Sequence, residues 1–132
     1  MIQFQNTIGQ IFICDFSGYR LPEIVKRRPV IAISPPEAHH TSLVTVVPLS
    51  TTEPRPVRPY HVFIDRVPVM QHFDKGYAWA KCDLIYTVSF DRLFLPEFGK
   101  NAAGRRKYLT YRFDDDVMDQ IFRAVQASLG LL

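Results

Sequence analysis

Short apolar runs, each cut off by glycine, proline or a polar cluster, fill most of this chain, and one long helical pattern stands at its end. The runs cover residues 11–16, opened by Gly9, and then 29–34, 43–49, 61–64, 77–82, 85–89 and 107–113. They are rich in β-branched and aromatic residues and too short for helices, so they read as strands. Pro48, inside the third run, marks an edge, a bulge or the strand's end. Strands at this spacing predict a strongly bent sheet or small barrel. Near the C-terminus the period changes: Val117, Ile121, Ala124, Val125 and Ser128 share a helical face that Met118, Phe122 and Leu129 widen. Asp114, Asp115 and Asp116 stand just before it. Three carboxylates in a row can imitate a metal site, but an N-cap and two dipole-complementing charges are the plainer reading. Gly130 supplies the stop.

With 132 residues, 47% of them hydrophobic and 22% charged, the chain reads as one globular domain, 1–132, and wholesale disorder is excluded. A net charge of +3 permits a nucleic-acid partner without demanding one. The two cysteines, Cys14 and Cys82, fall inside apolar runs and are expected as buried, reduced thiols. Residues 1–9 lack a basic segment followed by an apolar one, and no stretch approaches the roughly 20 apolar residues of a membrane span. A soluble, cytoplasmic protein is expected.

The cations are grouped: Lys26, Arg27 and Arg28; Arg55 and Arg58; and Lys100, Arg105, Arg106 and Lys107. In the first group they run directly into Pro29 and an apolar strand, which sets positive charge at the mouth of a β-structure. A guanidinium at Arg28 can hold a phosphate through two parallel hydrogen bonds, or form an ordinary salt bridge. Ser50, Thr51 and Thr52 close a strand, where hydroxyls and free N–H groups can meet a phosphate oxygen or simply build a turn. Lys81 and Asp83, two apart in a strand, share a face while Cys82 points inward. On spacing alone they read first as a surface ion pair, and second as an acid/base pair. The segment 54–59 alternates proline with arginine and is expected to be stiff and polyproline-like, as a phosphate contact or a connector. Residues 95–106, with Gly99, Asn101 and Gly104, read as a mobile loop or hairpin tip. A Gly-rich phosphate loop, a nucleophile elbow and an H-E-x-x-H motif are all missing. His39 and His40 would point to opposite faces of an extended segment, and His61 and His72 stand alone, so no metal site is expected.

Several of these motifs, in order, resemble the MazF/PemK family of small toxin endoribonucleases. Residues 9–16, Gly-Gln-Ile-Phe-Ile-Cys-Asp-Phe, are similar to that family's opening strand. Glu23 precedes Pro29 by about the interval of its loop glutamate, and Arg28-Pro29 matches its most constant dipeptide. Pro48-Leu49-Ser50 looks like its Pro-apolar-Ser/Thr turn. Lys81-Cys82-Asp83, Thr87-Val88 and Arg92-Leu93 are similar to its Arg-Cys-Asp, Thr-Ile and Arg-Leu series. The resemblance implies a mainly β, SH3-like small barrel with a C-terminal helix, acting as the toxin of a type II toxin–antitoxin pair. It implies metal-independent cleavage of single-stranded RNA without a cofactor, a homodimer, and an acidic antitoxin partner. Arg28 would stabilise the transition state, Ser50 bind phosphate, and Asp83 or Glu23 act as base. Lys81 would stand where relatives have an arginine acid. Lys26, Arg27, Thr51, Thr52, Arg55 and Arg58 are the accompanying RNA-binding candidates. Pro22 takes the place of a histidine that some PemK-type members carry in this loop. Other readings of the fold are a gyrase poison, whose relatives use an aromatic residue at the end of the helix where this chain has Gly130-Leu131-Leu132, and an inactive binding module.

Overall fold

A computed structural model of the chain describes residues 8–34 and 42–132; His39 and His40 lie outside them. Nine strands and a short 3-10 turn at Phe90–Arg92 precede one α-helix among these residues: β1 (Ile11–Cys14), β2 (Arg28–Ala32), β3 (Leu43–Ser50), β4 (His61–Ile64), β5 (Ala78–Lys81), β6 (Tyr86–Ser89), β7 (Leu93–Phe94), β8 (Glu97–Lys100), β9 (Arg106–Tyr108) and α1 (Asp115–Ser128). The first seven form one sheet in the order β4-β5-β3-β2-β1-β7, with β6 also paired to β3, and β8 and β9 form a separate hairpin. The sheet pairs described are antiparallel. The eight-residue β3 is the organiser: its first half pairs with β6, its middle with β2 and its end with β5. It therefore belongs to both halves of a bent sheet, and the result is the mainly β, barrel-like fold with a C-terminal helix expected from the strand spacing.

Alternation along the strands builds two cores on opposite faces. One contains Ile11, Ile31, Val47, Leu49, Val62, Ile64, Ala78 and Ala80, closed by Met118, Ile121 and Ala124 of α1. The other contains Phe12, Cys14, Val30, Ala32, Val44, Val46 and Val88, with Phe16 and Phe90 packed beside them. Each buried valine, leucine, isoleucine, phenylalanine or methionine among them contributes roughly 1.5–3 kcal/mol on burial. Gly9 joins the helix side to the sheet: its N–H donates to Ala32 O and its own carbonyl accepts from Phe113 N–H. It has a φ of +83°, and a Cβ there would come within 3.2 Å of Arg112 Cγ and 3.3 Å of Phe113 O.

Asp114 caps α1, its carboxylate accepting from Val117 N–H at 3.0 Å, with Asp115 and Asp116 in the first turn. The aspartate run is thus helix chemistry. Gly130, at φ +76°, ends it. Both cysteines are free and buried, and burial pushes each thiol up to about 12. No helix among the described residues is long and apolar enough to cross a membrane.

Two expectations need correcting. The strand expected at 107–113 is real only to Tyr108; beyond it the chain makes a single bridge, Gln10 with Arg112. The proline–arginine segment 54–59 is not a uniform polyproline rod, because the chain bends at Arg55 and Pro56. Residues 95–106, read as a loop or hairpin tip, contain all of β8 and the turn into β9.

Candidate active site

Strand register decides which polar side chains meet. Val30 pairs with Pro48; Arg28 lies two residues before the one and Ser50 two after the other, so each shares that pair's face. Ser50 pairs with Trp79, Trp79 with Phe63, and Lys81 with His61. Paired residues project to the same face, and alternate residues along a strand share it. Arg28, Ser50, Trp79, Lys81, Phe63 and His61 therefore stand on one face, spread over β2, β3, β5 and β4. At about 4.8 Å between strands, β2 lies about 10 Å from β5. Their neighbours Leu49, Ala80 and Val62 point the other way into the core under α1. Pro29 is buried behind Arg28, so the guanidinium leaves an anchored point of the backbone into solvent.

Asp83 follows β5 in a turn closed by Leu84 N–H donating to Lys81 O at 3.1 Å. Its Oδ1 lies 4.0 Å from His61 Nε2, the imidazole side chain 10% exposed and the carboxylate 37%. The other ring nitrogen, Nδ1, accepts the backbone N–H of Arg58 at 3.0 Å. In the neutral ring that bond places the remaining proton on Nε2, facing Asp83. Burial holds the His61 pKa below the usual 6.5; Lys81 and Arg58 push the same way, and Asp83 opposes them. Ser50 Oγ accepts from Thr52 N–H at 3.1 Å, and a hydroxyl that accepts one bond can still donate another. Beside this polar group lies an aromatic surface. The Phe63 ring is 5.1 Å from Trp79 and 5.9 Å from Tyr77, and these three line a shallow depression with Thr51 and Glu53.

An exposed arginine, a hydroxyl turn, a lysine and a carboxylate–imidazole pair beside a cluster of tilted aromatic rings suit a phosphodiester with unpaired bases. A family model described as PemK-like, MazF-like toxin of type II toxin–antitoxin system matches residues 7–129. The chain belongs to this toxin family. The uncharacterized protein YifN of Escherichia coli (strain K12) is 29% identical to it, over 99% of this chain and 96% of that protein. Among solved structures it is similar in fold to MazF from Deinococcus radiodurans, at a TM-score of 0.64 and 16% identity over 97% of this chain and 99% of that one. It is also similar to an endoribonuclease from a mycobacterial species in complex with its cognate antitoxin. That match has a TM-score of 0.60 and 24% identity over 95% of each chain.

Other residues singled out in the PemK-like sequence lie apart from the shared face. Glu23 closes its own loop: Oε1 accepts from Arg20 N–H at 3.0 Å and its N–H donates to Arg20 O. That loop is held down by Tyr86, whose hydroxyl accepts Ile24 N–H at 3.2 Å and whose ring stacks on Tyr19. The Arg27 guanidinium lies over the Phe94 ring, 4.6 Å from its centre, and Asp15 feels its charge, so it serves the β1–β7 edge. Lys26 is exposed in the same loop, and Arg55 and Arg58 are exposed in the approach to β4. In the sequence His61 stands as an isolated histidine with nothing to tie it to the site. Only the pairing of β4 with β5 sets it against Lys81 and Asp83. Alternating character at 61–64 and 77–82 was the available signal for Phe63, Tyr77 and Trp79 on one face.

Proposed function

We propose that this toxin is a metal-independent endoribonuclease that cuts single-stranded RNA by attack of the 2′-OH. The observation that carries the reading is the open sheet face on which Arg28, Ser50, Lys81 and the Asp83–His61 pair stand beside an aromatic surface. Arg28 grips the scissile phosphate and stabilises the phosphorane, and Ser50 donates to a second phosphate oxygen, helped by Thr51 and Thr52. Asp83 takes the proton from the 2′-OH as the 2′-oxygen–phosphorus bond forms. Lys81 gives a proton to the 5′-oxygen as its bond to phosphorus breaks. Two fixed cations supply the charge stabilisation that a metal would otherwise provide. His61 presents its Nε2–H toward Asp83 at 4.0 Å, so an imidazole from β4 serves the site electrostatically although Pro22 replaces the loop histidine of some relatives. Glu23 is the second candidate base; its bond to Arg20 favours Asp83. Phe63, Tyr77 and Trp79 stack the flanking bases.

The protein works in the cytoplasm as a homodimer whose RNA groove crosses both copies. It is silenced by an acidic antitoxin drawn to the cations of the 26–28 and 55–58 segments, whose binding covers the RNA site. The antitoxin complex of a mycobacterial structural neighbour supports that partner. The test is incubation of purified protein with mixed single-stranded RNA in EDTA. Fragments ending in 2′,3′-cyclic phosphate and 5′-OH are expected, with all-DNA strands untouched. Cleavage of DNA, complete dependence on magnesium, or inhibition of gyrase without RNA cleavage would overturn the reading.

A further inference from the structure

The β8–β9 hairpin makes little sense as part of the core. Four cations, Lys100, Arg105, Arg106 and Lys107, face one carboxylate, Glu97, within residues 97–108. Every residue of β9 is exposed, as are Phe98 and Tyr108. A lone two-stranded hairpin is marginal in water, yet this one is built firmly. The Asn101 side chain accepts from Ala103 N–H at 2.9 Å and from Arg105 N–H at 3.0 Å, and Asn101 N–H donates to Arg105 O. Arg106 pairs with Glu97 at 3.3 Å, and Lys107 Nζ sits 4.8 Å from the centre of the Phe98 ring. Arg106 and Lys107 are therefore held in place, and Lys100 and Arg105 stand at the ends of a firmly closed turn, on an arm that buries little of itself.

Its position is informative. The β4–β5 ribbon continues past Ile64 and Ala78: Val67 N–H donates to Gly76 O, and Met70 bridges Phe73. At the tip of this extension Gln71 N–H donates to Glu97 O at 2.8 Å, which docks the arm there. His61 and Lys81 are at the other end of the ribbon, and Phe63, Trp79 and Tyr77 follow them along one face toward the tip. A strand of RNA stacked on those rings and leaving the cut site along the ribbon runs toward the arm.

We propose that the β8–β9 arm is a second RNA-binding surface, which grips the phosphate backbone of single-stranded RNA away from the scissile bond and lengthens the footprint. The proposal rests on the RNA-cleaving reading for its choice of ligand. An acidic protein segment would match the charge equally well. The exposed ring of Phe98 beside Lys107, on an arm docked at the tip of the ribbon that carries the aromatic surface, favours unpaired nucleotides.

The experiment compares binding of 2′-O-methyl RNA, which resists cleavage, at a short length of about 6 nucleotides and a long one of about 20. It uses the parental protein and a Lys100→Gln/Arg105→Gln/Lys107→Gln variant, leaving Arg106 to its partner Glu97. The parent should bind the long strand at least tenfold more tightly than the short one. The variant should lose that gain, and its salt dependence on the long strand should flatten by about 2 in log–log slope, as expected for three lost phosphate contacts. Cleavage of a short unmodified RNA should not change. If the triple variant does not fold, Lys100→Gln alone should show about a third of the slope change. Equal affinity and slope for parent and variant would overturn the arm as an RNA surface. So would loss of poly-glutamate binding while long-RNA binding is intact, which would make the arm a site for acidic protein. Failure of the parent to cut short RNA, with the charge-dependent length gain preserved, would overturn the cleavage reading and leave the arm standing.

Discussion

One face of the sheet has two halves that share strands β2 and β3 and differ in what lies over them. Toward one end Val30, Ala32, Val44 and Val46 are covered by Phe16 and Phe90, with Tyr19, Ile24 and Tyr86 at the margin. Toward the other, Arg28 and Ser50 emerge from those same strands beside Trp79 and Lys81, and the loop held down by Tyr86 does not cover them. The boundary falls at Val30 and Pro48, a paired and buried couple one strand repeat from Arg28 and Ser50. Backbone geometry is the same on both sides of it. The lesson is that a strand pair supplies core where an aromatic loop closes over it, and a binding surface where it is left open. The apolar half fixes the strand ends from which the polar half projects, so stability and chemistry should separate cleanly between them.

Removing the Phe16 ring, fully buried and 5.0 Å from Tyr86, should have the largest effect on stability. Phe16→Ala should cost about 4 kcal/mol in denaturant unfolding, with cleavage per folded molecule unchanged. If the open half depended on fine packing in the covered half, the residual activity would fall as well. Trp79→Ala removes a half-buried ring on the open side and should act in the opposite sense. RNA affinity should drop about tenfold, within the roughly 1–3 kcal/mol of a base–aromatic stack, with less lost stability than Phe16→Ala. Filter binding on uncleavable RNA reads the first and thermal melting the second.

The smallest effect concerns His61. Burial holds its pKa below 6.5 in the folded protein, so the unfolded chain takes up the proton first as pH falls. The stability linked to the neutral ring is present above about pH 6.5 and is lost on acidification through the folded pKa. Lys81 and Arg58 reinforce that loss and Asp83 opposes it. His61→Gln should flatten the dependence of stability on pH between about 7 and 5. It should also slow cleavage severalfold by loosening Asp83. An unaltered pH profile would mean that the imidazole titrates as an exposed group.

Local chemistry made much of this legible in the sequence. The run 61–64 becomes β4 without adjustment, and the helix has its cap within the aspartate run, at Asp114, and its stop at Gly130. What the sequence could not supply was partnership. Residues 107–113 have strand composition throughout, but only the first part finds a strand to pair with, in β8. His61 and Asp83 lie far apart in sequence, and only the β4–β5 register brings them within 4.0 Å. Arg27 and Arg28 carry the same side chain, and only the Arg28-Pro29 match told them apart in the sequence. One residue of pleat sends Arg28 to the open face and Arg27 over Phe94. The family's motif order pointed to Arg28, Ser50, Lys81 and Asp83 together; the aromatic surface and the imidazole beside them emerged from strand pairing.

The most direct test of a site built on the open half is single-turnover RNA cleavage by Arg28→Ala, measured alongside its unfolding curve. Arg28 is exposed at the start of β2, so the unfolding midpoint should match the parent's. The cleavage rate should fall a hundredfold or more, about 3 kcal/mol of lost transition-state stabilisation, and Arg28→Lys should restore little of it. A folded Arg28→Ala protein that cuts RNA at the parental rate would contradict the assignment of this face as the site of chemistry.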